Sequence, residues 1–146
     1  MNIEFERMRN EHIPEILDIE NSSFSTPWSP VSFKYEVNNQ RGFSFVALSE
    51  GKVIAYICAD MRLEEGHILN LAVHHAMRRM GLATFLVNMV ADKMRKDGCR
   101  YIYLEVRASN TAARRLYEKL GFKEAGRRRL YYIEPIEDAI LMTLEC

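Results

Sequence analysis

Apolar residues recur along this chain with two periods, and the places where the period changes divide it into strands and helices. Residues 3 to 7 alternate as a strand does, and Ile13, Ile16, Leu17 and Glu20 then follow helical spacing with one apolar face. Thr26-Pro27-Trp28-Ser29-Pro30 stops that helix. Ser29 supplies an N-cap and Pro30 a first helical position for a short second helix through Val37, with Phe33 and Val37 on its buried side. Phe43 to Leu48 and Val53 to Ala59 are strand-like runs on either side of Ser49-Glu50-Gly51-Lys52, which predicts a hairpin, and His67 to His74 extends the sheet. Leu82, Phe85, Leu86, Met89, Val90 and Met94 recur at helical spacing up to Gly98, so a long amphipathic helix is expected to pack on the sheet. Tyr101 to Val106 reads as a strand with Ile102, Leu104 and Val106 on one face and Tyr101, Tyr103 and Glu105 on the other. Ser109 or Asn110 can cap a further helix, striped by Ala113, Leu116, Tyr117 and Leu120 and ended by Gly121. Phe122 to Arg129 and Ala139 to Glu145 supply two final strands. Strands alternating with helices, with hairpins at both ends, predict a mixed α/β sheet covered by helices.

At 146 residues, 48% of them hydrophobic, the chain suits a single domain, 1–146, with a substantial core. Twenty basic and twenty acidic side chains cancel, so no global charge draws it to nucleic acid or anionic lipid, and any charge preference must be local. The N-terminal residues lack a basic region followed by an apolar run, and no stretch is long enough to span a bilayer; a cytoplasmic protein with no membrane partner is the expectation. Cys58, Cys99 and Cys146 are odd in number, widely spaced and without a C-x-x-C pair, which disfavours both a disulfide framework and a zinc site. His74 and His75 would point to opposite faces if they continued the strand, and no ligand spacing links them to His12 or His67, so they are expected in a loop and no metal is expected. Arg127-Arg128-Arg129 reads as a solvated charge run.

Between the apolar run Ile68 to Val73 and the long helix stands Arg78-Arg79-Met80-Gly81-Leu82-Ala83. A strand that ends in a basic, glycine-containing turn and passes straight into a helix leaves several backbone N–H groups unpaired at the positive end of the helix dipole. Such a turn suits a pyrophosphate. A second block follows in Leu104-Glu105-Val106-Arg107-Ala108-Ser109-Asn110, with Leu116-Tyr117 and Leu120-Gly121-Phe122 behind it. Asn110 and Tyr117 are seven residues apart, two helical turns, and so lie on roughly the same side.

With these blocks, Pro27-Trp28-Ser29, Asn70-Leu71-Ala72-Val73, Tyr131-Tyr132 and Glu137-Asp138-Ala139, the chain resembles the GNAT acetyltransferases nearly end to end, and within them the bacterial enzymes that acetylate the N-terminal alanine of a ribosomal protein. The resemblance implies a mixed, mostly antiparallel central sheet of about seven strands flanked by about four helices. It implies acetyl-CoA as cosubstrate, its pyrophosphate held by backbone N–H groups of Arg78, Arg79, Met80, Gly81, Leu82, Ala83 and Thr84, and its pantetheine arm beside Leu71, Ala72 and Val73, pairing like an extra strand. A backbone N–H near Val73 would face the thioester oxygen, and Asn110 matches a CoA-contacting asparagine. The implied acceptor is the N-terminus of a small-subunit ribosomal protein, protein eighteen, with Tyr131, Tyr132, Glu137 and Asp138 between the last two strands shaping the peptide entrance and an acidic one of them pairing with a basic second residue. Broader N-terminal or lysine acetylation, or a non-catalytic acyl-CoA-binding module, are the alternatives.

Acetyl transfer to an amine needs a neutral nucleophile, a stabilised oxyanion and an acid for the departing thiolate. Glu105 fits the base and Tyr117 the acid. An α-amine titrates near ~8 and a lysine near ~10.4, so an N-terminal acceptor asks hundreds of times less of the base at neutral pH. A free glutamate is a weak base, so Glu105 is expected to act through a water or to be raised by burial. Three positions depart from the family pattern: His75 where proline is common, Met80 where arginine or glycine is frequent, and Ala83 where glycine often occurs. None removes a backbone N–H donor.

Overall fold

Val53–Ala59 is buried without interruption, as a strand must be when both its faces are covered. In the computed structural model, which describes residues 2–146, that run belongs to β3 (Lys52–Arg62), an interior strand of one seven-stranded sheet ordered β1-β2-β3-β4-β5-β7-β6. The other strands are β1 (Ile3–Arg7), β2 (Phe45–Ser49), β4 (Glu65–Val73), β5 (Tyr101–Arg107), β6 (Lys123–Ile133) and β7 (Ile136–Glu145). Every pairing is antiparallel except β4 with β5. Two apolar clusters lie on the sheet. Ile13, Ile16 and Ile19 of α1 (Ile13–Ser23) and Phe33 of α2 (Pro30–Asn38) pack on Tyr56 and Cys58. Leu86, Val90 and Met94 of α3 (Leu82–Lys96), with Tyr117 of α4 (Thr111–Lys119), pack on Ile57, Ile102 and Ile140.

Local signals end the helices where the sequence predicts. The Ser29 hydroxyl accepts from the Ser32 amide at the start of α2, and of the two candidate caps for α4 it is Asn110 that accepts, from the Ala113 amide at 3.1 Å. Gly98, at φ +90°, closes α3. Two expectations change. Phe85 is half exposed rather than in the buried stripe; its ring stacks on Phe5 at 4.2 Å, while Val87 and Ala91 take the inward positions beside Leu86 and Val90. The last two strands are also longer than their apolar runs: β6 is exposed along nearly its whole length as the edge of the sheet, so pairing with β7 extends it without any hydrophobic pattern to announce it. Tyr131 and Tyr132 therefore lie in β6, and Glu137 and Asp138 in β7, rather than in a loop between them.

Cys58 and Cys99 are buried and Cys146 exposed, all three free. Among the described residues no helix is long and apolar enough to cross a membrane, and no group of three or more His, Cys, Asp or Glu is placed to hold a metal. His74 and His75 have left the strand; His74 caps a short 3-10 turn, His75–Met77, and the two rings stack at 4.4 Å instead of facing apart.

Candidate active site

β4 and β5 pair at Glu65–Tyr101, Gly66–Ile102 and His67–Tyr103, and then stop. The β3–β4 register slips at the same level: Cys58 faces Asn70 but Ala59 faces Ile68, so Leu69 is an extra residue in β4. A bulge bends the strand that carries it. β5 continues instead along β7 as far as Arg107–Ala139, and the gap between the diverging strands becomes a cleft of about 320 Å³.

Hydrogen-bond alternation decides what lines the gap. The His74 amide donates to the Ile54 carbonyl at 2.8 Å, which makes Ile54/His74 and, two residues on, Tyr56/Ala72 the hydrogen-bonded rows of the β3–β4 ladder. Leu71 and Val73 occupy the alternate rows, so their N–H and C=O groups turn away from β3 toward the side β5 has left. The Arg78 guanidinium reaches the Val73 carbonyl there, at 3.3 Å. An extended ligand bearing amides could pair with this edge as a further strand does. Ala72 instead turns its amide into the ladder.

The edge leads into the basic turn. Arg78 is extended, Arg79 left-handed at φ +68° and Gly81 left-handed at φ +77° as the N-cap of α3. The first α3 bond runs from the Phe85 amide to the Gly81 carbonyl, so the N–H groups of Leu82, Ala83 and Thr84 have no acceptor within the helix. Arg78, Arg79 and Met80 are exposed, and the Leu82 side chain is core. Backbone amides presented by left-handed and helical residues in succession form an anion-binding concavity. A Cβ built on Gly81 meets nothing within 4 Å. Glycine is needed there for its φ, not because a side chain would crowd the turn.

Glu105 and Tyr117 both open on the cleft, from β5 and from α4, and Asn110 opens on it at the head of α4. The Glu105 side chain is 33% exposed, and Arg128 of the basic run stands 3.8 Å from it. Tyr117 is only 7% exposed, its ring edge-on to Phe122 at 5.5 Å, and burial pushes its phenol well above the ordinary range. Such a phenol keeps its proton.

Glu137 and Asp138 spend their oxygens inside the chain. Arg107 donates to Glu137 at 3.0 Å, Ser109 adds its hydroxyl and amide at 3.0 and 3.1 Å, and these bonds, Arg107 first, hold the carboxyl below its usual range. Asp138 accepts the Leu130 amide at 2.9 Å and lies 3.4 Å from Arg127. Arg107 also donates to the Glu134 and Pro135 carbonyls, and Ser25 reaches Glu134 from the α1–α2 connection, so the two chain segments flanking the cleft are tied together. Tyr132 lies beneath the Arg107 guanidinium at 4.3 Å; burial first, and then the Glu105 charge, push its phenol up. Tyr131 sits outside the first cleft and lines a second, adjoining one.

Glu20 was not singled out by its sequence neighbourhood. It is 1% exposed at the floor of the cleft and accepts from the Tyr56 hydroxyl, the Asn70 side-chain amide at 2.8 Å and the Trp28 amide at 2.9 Å. A carboxylate at the i+7 position of an otherwise apolar stripe was the available signal, because buried charge needs partners.

The chain and its fold have counterparts among known proteins. Residues 13–122 match the model of the acetyltransferase (GNAT) family. The chain belongs to that family. It is therefore an acyltransferase of the GNAT fold. It is 38% identical over 134 residues, 90% of each chain, to the [ribosomal protein bS18]-alanine N-acetyltransferase of Escherichia coli. The crystal structure of the E. coli ribosomal-protein-S18-alanine N-acetyltransferase superposes with a TM-score of 0.91 at 35% identity, covering 99% of this chain and 94% of that one. A chain of the NatC complex bound to Gag peptide and CoA gives 0.90 at 28% identity, covering 100% and 99%.

Proposed function

We propose that this acyltransferase uses acetyl-CoA to acetylate the α-amino group of an N-terminal alanine, with a small-subunit ribosomal protein, protein eighteen, as its acceptor. The observation that carries the reading is the cleft itself: the unpaired β4 edge at Leu71 and Val73 leads into the amide-rich turn before α3, while Glu105 and Tyr117 reach the same space from β5 and α4. The full-length similarity to alanine N-acetyltransferases supports the choice of acceptor.

The amides of Arg78 to Thr84 hold the pyrophosphate, the Leu71–Val73 edge and Asn110 the pantetheine arm. Bound there, acetyl-CoA supplies an activated acetyl thioester. Glu105 takes the proton of the attacking amine; its solvent-open carboxylate allows an intervening water to carry it. The Val73 N–H stabilises the negative charge that develops on the acetyl oxygen. Burial keeps the Tyr117 phenol protonated, so as the new C–N bond forms and the C–S bond breaks its hydroxyl gives the sulfur a proton and CoA leaves as the thiol. Because a buried tyrosinate is costly, the phenol is reprotonated through cleft water by the proton that Glu105 took from the amine.

The test is a set of three peptides: free N-terminal alanine, the same peptide N-blocked, and the blocked peptide carrying an internal lysine, each assayed by product mass. Acetylation of the free peptide alone is expected. Lysine acetylation of the blocked peptide at a matching rate overturns the N-terminal reading.

A further inference from the structure

The second cleft, about 550 Å³, adjoins the first and shares Glu105, Trp28 and Tyr132 with it. It runs along one face of the β4–β5 pair. The register sets Glu65 beside Tyr101 and His67 beside Tyr103, and alternation turns these side chains and Glu105 to the same side of the sheet. The rings of His67, Tyr103 and Tyr101 form a row, with centroids 5.6 and 6.3 Å apart.

Most of the charge in this region is already matched. Arg128 lies over the Tyr131 ring at 5.4 Å and beside Glu105, Arg107 covers Tyr132, and His67 stands 3.9 Å from Asp60. Glu137 and Asp138 are spent as described. Glu65 differs: among the described residues its carboxylate forms no salt bridge or side-chain hydrogen bond, yet it lines the cleft and its charge is, after burial, the next influence pushing the Tyr103 phenol up. An aromatic face beside an unmatched carboxylate is the combination that holds a guanidinium or ammonium. The span suits a peptide. Glu65 lies level with Tyr101, four residues from Glu105, or about 13 Å along the strand. One extended residue of about 3.3–3.6 Å plus a long basic side chain, reaching toward two side chains that themselves project into the cleft, covers it.

We propose that this cleft is the subsite for the residue that follows the acetylated one, and that it takes a cationic side chain, with Tyr103 beneath it and Glu65 paired to it. The inference rests on the N-terminal acetylation proposed above. It assigns to Glu65 the recognition role that sequence reasoning gave to Glu137 or Asp138.

Peptides beginning with alanine and carrying Arg, Lys, Gln or Glu second separate the two. For the wild type, kcat/KM should favour Arg and Lys over Gln by about three- to tenfold, and rising salt should shrink the ratio. In Glu65→Gln the ratio should approach one; in Glu65→Lys it should invert toward the Glu peptide. Tyr103→Leu should lower the Arg-over-Gln ratio as well. Equal ratios in the wild type and both Glu65 variants overturn this inference and leave N-terminal acetylation standing. Acetylation confined to lysine side chains overturns both.

Discussion

Glu105 and Tyr117 come to one cleft from elements with different surroundings, and each suits its proposed role because of them. Glu105 sits on the solvent-facing side of β5, where water can relay a proton; Tyr117 is packed against Phe122 on α4, where its proton is retained. Tyr117→Phe deletes one hydroxyl and keeps the ring, so turnover should fall by about a hundred- to ten-thousand-fold while acetyl-CoA affinity stays nearly intact. Glu105→Gln should likewise spare cosubstrate binding and slow turnover. Thiol release at saturating substrates, with calorimetry for acetyl-CoA, checks both; full activity in the two variants removes the acid–base assignment. Residue types and spacing made this pair legible, since strand alternation and helical period are local. Glu20 was not legible in the same way: its partner Asn70 is 50 residues away in sequence.

Among the elements, the turn from β4 into α3 carries the most specific expectation. Its geometry depends on left-handed residues at Arg79 and Gly81. Gly81→Ala adds about 1 kcal/mol of conformational cost with no steric conflict. Gly81→Asp adds the same cost and a carboxylate beside the expected phosphates. Acetyl-CoA titrations should therefore show a modest loss for the alanine variant and a far larger one for the aspartate variant. Equal affinity in all three proteins would place the phosphates elsewhere. The helix caps and this turn were readable because each is set by a few consecutive residues. The β6–β7 hairpin was readable only in its inner half: the outer half is an exposed ladder held by pairing and by Arg107 on Glu137, a contact spanning 30 residues.

At the scale of the whole molecule, Glu36 couples stability to pH. It lies buried between α2 and the sheet with its Oε1 unpartnered, and burial first, then the charge of Asp60, push its carboxyl from 4.5 up to about 7. The folded chain thus holds this proton more tightly than the unfolded chain. The stability it contributes is fully present below the unfolded value and is lost as pH rises through the folded one. Urea unfolding at about pH 5 and about pH 8 should show the wild type losing at most about 3 kcal/mol more than Glu36→Gln. The same pH dependence in both proteins would mean that another group is responsible.

Local chemistry was enough for the strand and helix order, the capping residues, the glycine-containing turn before α3 and the two faces of β5, because each depends on neighbours within a turn or two of the chain. The resemblance carried by those short motifs extended that to the GNAT family. What required the assembled sheet was everything made between distant segments. The bulge at Leu69 and the end of β4–β5 pairing at His67–Tyr103 open the cleft, and neither is encoded in one strand alone. Arg107 and Ser109 claim Glu137, Glu20 gathers donors from two strands and the α1–α2 connection, and among the described residues Glu65 is left without a counter-ion beside Tyr103. Sequence names the charges; register and burial decide which of them are spent within the fold and which remain for a ligand.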